Sequence, residues 1–367
     1  MNQQRITNLQ QQLAQRQLDG VILMPGPNSF YFSGMHTHVS ERPVLLFMPQ
    51  TGEPAIIIPG LEAMKAEAAG IPLARIFAWT DEEGFTDAFA QAAHALNLDS
   101  GHWGVEAFHM RVLELEALQA VAPTLQTSHA EPALMALRSV KDAAEIAAIE
   151  KAVSVAERAI ARLLPLIKIG MTEKQVAAQL TALLLDEGGE SIAFGPIVSA
   201  GPNGASPHAM PGERPLTSGD LLVIDWGVFV DGYPSDITRT FAVGDIDDKL
   251  KQIYEIVRQA NEAGKQAVKP GATGQDVDRA ARKVIVDAGY GDYFFHRTGH
   301  GLGLEVHELP GMVEGNTQPL AVGNVFTVEP GIYLAGRGGV RIEDDVVVTA
   351  AGCRSLTSFT RDLITVG

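Results

Sequence analysis

The sequence predicts two domains: a small α/β domain over residues 1–131, and an α+β domain over 132–367 made of two similar helix-plus-hairpin halves. Three observations carry this. Short apolar runs alternate with helical periodicity as far as Glu131. Beyond that point the chain repeats itself: KIGMTEKQV from Lys168 aligns with KPGATGQDV from Lys269, HAMP from His208 with HELP from His307, and Gly219–Gly232 with Gly323–Gly336. Acids also stand in strongly apolar strand-like runs, Asp225 in LLVIDWGVFV and Glu329 at the end of VFTVE, where an unpartnered carboxylate would cost several kcal/mol.

In the first domain, Ile6, Leu9, Leu13 and Leu18 share roughly one helical face. VILM from Val21, VLLFM from Val44 and AIII from Ala55 read as buried strands, with helices expected near Leu61–Ala69, Glu82–Leu96 and Met110–Ala120. The domain contains neither a phosphate loop nor a nucleophile elbow. Its unusual piece is the loop Met35–Pro43, which gathers His36, His38, Glu41 and Arg42 after a tight turn at Ser33-Gly34. That loop reads equally well as polar surface and as a segment reaching over an active site.

Pro132 marks the expected boundary. A long helix follows over about Lys141–Leu164, with Ser139 and Asp142 as a capping-box-like start and Ile146, Ile149, Val153, Ala156, Ile160 and Leu163 as its apolar stripe. In the repeat, Thr172 with Gln175 and Thr273 with Asp276 predict capping boxes, and Gly188 and Gly289 predict helix stops. The offset drifts from 101 to 99 to 104 along the two copies, which implies small insertions in a diverged duplication.

Each half then supplies an acidic β-ribbon. The midpoint between Asp225 and Asp236 falls between Val230 and Asp231, beside the Asp-Gly turn signal, so these two acids are expected to face one another across a hairpin. In the second half the midpoint of Glu329 and Glu343 is Gly336, within AGRGG, and they too are expected to face one another. Strand parity turns Asp344 to the opposite face, while Asp345 shares the face of Glu343 farther from Glu329. Two carboxylates at cross-strand distance repel by about 4 kcal/mol at an effective dielectric near 20. If the halves pack about a pseudo-twofold axis with their strands in one sheet, all four acids converge. Two divalent cations would balance them in a two-metal hydrolytic site, with Mn²⁺ favoured by oxygen-rich ligation and Zn²⁺, Fe²⁺ or Co²⁺ also admissible.

Histidines complete the expectation. FHRTGHGLGLEVHELP, from Phe295, holds His296, His300 and His307 among glycines that argue against the helix a zincin motif needs. His300, with no obvious mate in the first half, is the expected nitrogen ligand. The glycines are expected to let backbone pass close to metal or substrate. His208 and His307, paired by the repeat, are candidates to donate hydrogen bonds to a developing oxyanion.

Composition excludes several classes. A formal charge of −16, from 44 acids against 28 bases, argues against nucleic acid and anionic membrane surfaces as partners. No apolar run reaches membrane-spanning length, and the first twenty residues form a polar amphipathic segment rather than a signal peptide. The lone cysteine, Cys353, fits a reducing cytosol.

Taken in order, D-x10-D from Asp225, GHGLGLEVHE from Gly299, TVEPG from Thr327 and RIEDD from Arg341 resemble the pita-bread-fold metallopeptidases, above all the Xaa-Pro dipeptidases (prolidases) and Xaa-Pro aminopeptidases. The resemblance extends over essentially the whole chain, including an N-terminal domain like that of creatinases and prolidases. It implies that Asp225 ligates one metal, that Asp236 and Glu343 bridge both, and that His300 and Glu329 complete the second site, with Glu329 also taking a proton from the attacking water. It further implies roles for His208 and His307 in binding substrate and intermediate, for His296 and Tyr333 on the substrate side, and for Arg341 among the catalytic groups. Short proline-containing peptides as substrates and a homodimer, with the N-terminal loop of one subunit near the other's site, are implied as well.

The implied reaction is hydrolysis of the peptide bond before proline. Many prolidases of this family carry an arginine four residues past the histidine of the HE motif to bind the dipeptide carboxylate, and here that position is Gly311. Arg42 or Arg337 would have to substitute, and Xaa-Pro aminopeptidase activity on longer peptides stands as the alternative. The Ser40-Glu41-Arg42 loop, similar to that of some compact bacterial prolidases, favours the dipeptidase. A creatinase-like hydrolase or a binding-only protein is disfavoured by the complete ligand set, and methionine aminopeptidase by the large first domain.

Overall fold

The apolar runs of the first third of the chain assemble one mixed sheet. The computed structural model describes all 367 residues, whose contacts divide them into two units, Met1–Arg138 and Ser139–Gly367. In the first unit, α1 (Gln3–Arg16) starts at Asn2, whose side chain accepts from the amide of Arg5, and it buries Ile6, Leu9 and Leu13. The strands β1 (Gly20–Leu23), β2 (Leu45–Pro49), β3 (Ala55–Pro59), β4 (Ile76–Trp79), β5 (His102–Val105) and β6 (Gln126–His129) form a sheet in the order β4-β3-β2-β1-β5-β6. The consecutive pairs β1–β2 and β2–β3 are antiparallel, whereas β3–β4, β1–β5 and β5–β6 are parallel and are crossed over by helices. The helices between the strands are α2 (Pro27–Ser33), between β1 and β2, α3 (Ala63–Ala68), between β3 and β4, α4 (Thr86–Leu96), between β4 and β5, and α5 (Val112–Val121), between β5 and β6. Gly34, at φ +71, caps α2, so the expected tight turn at Ser33-Gly34 is a helix stop. A last helix, α6 (Glu131–Arg138), closes the unit, so Pro132 lies inside a helix and the contacts divide after Arg138.

The second unit opens with α7 (Ala143–Leu163). Its capping box is made by Asp142 with Glu145, not by Ser139 with Asp142, because the Asp142 side chain accepts from the amides of both Ala144 and Glu145. Then α8 (Glu173–Asp186), strands β7 (Ser191–Ile192), β8 (Ile197–Ala200), β9 (Leu221–Trp226), β10 (Val228–Val230), β11 (Tyr233–Pro234) and β12 (Ile237–Val243) complete the first half. The second half contains α9 (Asp248–Ala267), α10 (Gly274–Asp287), β13 (Gly299–Gly301), β14 (Glu308–Met312), β15 (Val325–Val328), β16 (Gly331–Leu334), β17 (Gly338–Arg341), β18 (Asp344–Thr349) and β19 (Gly352–Ser355), and β20 (Thr365–Val366) returns beside β12.

The duplication is visible in backbone detail. Thr172 and Thr273 each close a capping box, with Gln175 and Asp276, and each forms an isolated bridge to a proline, Pro215 and Pro319. Gly219 and Gly323 share positive φ, +97 and +93, ahead of the acidic ribbons.

The two ribbons differ in register. Glu329 and Glu343 are flanked by the pairs Val328–Asp344 and Gly331–Arg341, which keeps them opposite one another as expected. Asp225 instead pairs with Thr238, and Asp236 lies two residues before Thr238, toward the turn. The cause is the turn: Val230 pairs with Tyr233, so Asp231 and Gly232, at φ +52 and +77, are its two central residues and the fold-back falls between them. The strands of the halves also lie in separate sheets, β20-β12-β9-β8 and β14-β13-β15-β18-β19, joined by one bridge between Thr238 and Glu343.

Candidate metal centre

The residues at that join build the site. Glu343 donates its amide to the carbonyl of Thr238 at 3.1 Å, and the Thr238 hydroxyl donates to Glu343 Oε2 at 2.5 Å. Arg341 Nε donates to the same hydroxyl at 3.1 Å, and its Nη2 donates to Asp225 Oδ2 at 2.6 Å. The amide of Asp236 donates to Asp345 Oδ2 at 3.1 Å, so Asp345 steadies the backbone beneath Asp236. Asp344 faces the other way, as parity predicts, and pairs with Arg239 and Lys265 at 2.7 and 2.8 Å.

His300 arrives on β13, a strand whose glycines make the approach possible. A Cβ on Gly299 would lie 1.9 Å from the carbonyl oxygen of Thr327, and one on Gly301 would lie 2.3 Å from that of Leu309. These glycines therefore serve the close passage of strand against strand, where the sequence suggested passage along metal or substrate. Gly299→Ala is expected to destabilise the protein by about 1–3 kcal/mol, the usual cost of overpacking, seen as a lowered melting temperature.

Asp225, Asp236, His300 and Glu343 are all buried. The ligand atoms of Asp225, Asp236 and Glu343 lie within 4.8 Å of one another, as do those of His300, Glu329 and Glu343. Glu343 belongs to both triples, the pattern that two neighbouring ions require. A third triple joins Asp236 and His300 to the exposed His307, whose ring lies 4.0 Å from that of His300.

Three features show that this cluster fits cations. Asp225 Oδ1 is buried with no hydrogen-bond partner. Burial first, then the neighbouring acids Glu343, Asp225, Asp345 and Glu329, pushes the Asp236 carboxyl well above its ordinary range; burial, then Glu329 and Asp225, does the same to Glu343. Burial also raises Glu329 to about 7, against the pull of Arg341. The third feature is His300. Its Nδ1 donates to the carbonyl of Gly301 at 3.2 Å, and burial holds the ring neutral, at about 3, so Nε2 carries a lone pair. That lone pair faces Asp236 Oδ2 at 3.5 Å and Glu329 Oε1 at 3.4 Å. Three acceptors facing one another are held together either by a proton on one of the carboxyls or by a cation between them, and a divalent ion satisfies all three at once.

The cluster forms the floor of a cavity of about 680 Å³. His208, His296, His300, His307, Glu329 and Arg341 are on its wall, together with the apolar side chains of Phe194, Ile197, Met210 and Val306. Tyr333 is not on the wall: its buried hydroxyl accepts from Arg341 Nη1 at 3.0 Å and meets His296 Nε2 at 2.9 Å. Because His296 Nδ1 donates to the carbonyl of Arg297, the tyrosine is the donor to Nε2, and burial keeps that ring neutral, at about 4. Arg341 stays charged although burial opposes it, since Tyr333, Asp225, Glu343 and Glu329 outweigh the cost.

Sequence reasoning missed the groups that hold the histidine segment. Lys141 Nζ lies 3.2 Å from Glu308 Oε2, with both side chains 1% exposed, and this pair ties the start of α7 to the residue after His307. Asp278 accepts from the amide and hydroxyl of Thr298 at 3.1 and 2.7 Å. Lys141 stands just before α7 and Asp278 in the second turn of α10, and nothing in the spacing of either marks it as buried.

Residues 147–350 match Metallopeptidase family M24 and residues 5–140 match the Creatinase/Prolidase N-terminal domain. The chain is 35% identical to the Xaa-Pro dipeptidase of Lactobacillus delbrueckii subsp. lactis over 360 residues, 98% of each chain. The crystal structure of dipeptidase PepE from Mycobacterium ulcerans superposes with a TM-score of 0.90 at 38% identity, covering 99% of this chain and 97% of that one. Recombinant prolidase from Thermococcus sibiricus gives 0.94 at 35% identity, with all of both chains covered. Fold and site together define a metallopeptidase with the pita-bread architecture. The chain belongs to metallopeptidase family M24.

Proposed function

We propose that the protein is an Xaa-Pro dipeptidase that hydrolyses the bond before proline in short peptides, using two divalent ions held by Asp225, Asp236, His300, Glu329 and Glu343. The observation that carries this reading is the buried, mutually repelling set of carboxylates around the lone pair of His300, on the floor of a peptide-sized cavity. Bound ions supply Lewis acidity and a water that is acidic near neutral pH. Mn²⁺ is the favoured ion because four of the five ligands are carboxylates.

The chain's own groups do the rest. Glu329, on the cavity wall, takes the proton of the attacking water at a carboxylate oxygen and returns it to the departing proline nitrogen. His208 and His307, exposed on the same wall, donate to the carbonyl oxygen as it gains charge. Arg341 holds the Asp225 carboxylate in place, and Tyr333 and Arg297 backbone contacts fix His296. Phe194, Ile197 and Met210 give the proline ring an apolar surface. A homodimer acting in the cytosol completes the reading; the single cysteine supports the compartment. No helix is long and apolar enough to cross a membrane.

The test compares Ala-Pro with Ala-Pro-Ala and Met-Ala, using Mn²⁺-loaded protein. A preference for Ala-Pro of about tenfold or more in kcat/KM is expected. Efficient cleavage of Ala-Pro-Ala would turn the assignment to Xaa-Pro aminopeptidase, and failure on both prolyl peptides would end it.

A further inference from the structure

The cavity wall carries a cation that the site leaves unused. Arg341 is buried and committed to Asp225, Tyr333 and Thr238, whereas Arg297 is exposed on the same wall, its guanidinium with neither hydrogen-bond nor ion-pair partner. The backbone on both sides of it is pinned: Arg282 donates to the carbonyls of Phe294 and His296 at 2.7 and 2.8 Å, and Asp278 accepts from Thr298. A fixed main chain thus presents a free guanidinium to the cavity. Its charge reaches the site, where, after burial, it is among the groups that hold His300 and His307 neutral.

The other arginines considered from the sequence are already engaged. Arg337 is paired with Asp247 and is not on the cavity wall. Arg42 is forked by the Asp81 carboxylate, Nε at 2.9 Å and Nη2 at 2.7 Å. Gly311, where an arginine was sought, has no side chain to offer.

We propose that Arg297 binds the α-carboxylate of a dipeptide substrate and thereby sets the length limit of the enzyme, an inference that rests on the Xaa-Pro dipeptidase reading. The carboxylate sits one residue beyond the scissile bond, on the proline that departs. Four site acids repel it, two divalent ions would cancel those acids, and Arg341 is already committed to Asp225, so Arg297 is the positive charge left free to favour it. A guanidinium supplies that charge in a fork that matches both carboxylate oxygens. In a longer peptide the same place holds a neutral amide, which leaves the fork without its partner.

The experiment measures kcat/KM of the full-length, Mn²⁺-loaded protein on Ala-Pro and on Ala-Pro-amide, in the unsubstituted protein and in Arg297→Gln and Arg297→Lys. The ratio of Ala-Pro to Ala-Pro-amide is expected to fall about tenfold or more in Arg297→Gln, chiefly through KM, and to fall less in Arg297→Lys. Equal losses on both substrates, leaving the ratio as it was, would assign Arg297 a structural part and overturn the proposal. A ratio near one in the unsubstituted protein would overturn it while leaving the Xaa-Pro peptidase standing. Cleavage of neither substrate by that protein would overturn the parent reading and this one with it.

Discussion

Asp236→Asn is expected to lower kcat/KM on Ala-Pro by about 10³-fold or more. Charge stabilisation by a bound ion contributes several kcal/mol to the barrier, and each 1.4 kcal/mol is about a factor of ten. Asp236 sits in two of the three candidate triples, so its loss weakens more than one contact. The fold is expected to survive, because burial and neighbouring acids already oppose the charge of this carboxylate. Circular dichroism unchanged from the parent, with metal content reduced by elemental analysis, would be the matching observations. Parental turnover with a full metal complement would remove Asp236 from the centre.

Chelated protein is expected to lose stability as pH rises from about 6.5 to 8. Glu329 moves from its ordinary 4.5 to about 7, and Asp236 and Glu343 are shifted upward too. A carboxyl whose folded pKa is raised gives stability that is present below its unfolded pKa and lost as pH climbs through the folded one. His300 and His296, lowered by burial to about 3 and about 4, act oppositely, but only below their ordinary 6.5. The interval above 6.5 therefore isolates the carboxylates. At about 1.4 kcal/mol per proton per pH unit, the loss amounts to a few kcal/mol, or a fall in melting temperature of about 5 °C or more. Added Mn²⁺ should reverse it by binding the folded state. A chelated protein that melts as high at pH 8 as at pH 6.5 would contradict the crowding of these acids.

Much of this architecture could be read from residue order alone, wherever a local rule acted. The capping boxes at Thr172 and Thr273, the helix stops at Gly188 and Gly289, and the Glu329–Glu343 register all follow from short-range chemistry and proved sound. The Asp225–Asp236 register failed because a two-residue turn was centred one position too early; a slip of that size moves every pairing along the ribbon by two. Strands β5 and β6, HWGV and QTSH, gave almost no signal, since their place comes from parallel pairing, β5 with the distant β1 and β6 with β5, rather than from their own apolar content. The same holds for the cavity. Arg297 is one basic residue in a glycine-rich run until the fold shows what lies around it.

The single bridge between the two sheets runs through a residue of the candidate metal centre, yet its main-chain part, the amide of Glu343 on the carbonyl of Thr238, asks nothing of the side chain. Any amino acid but proline could make that bond. The scaffold can therefore outlive its chemistry: a descendant that exchanges Glu343 for a neutral residue gives up hydrolysis and still inherits the same pocket as a receptor for whatever its walls retain.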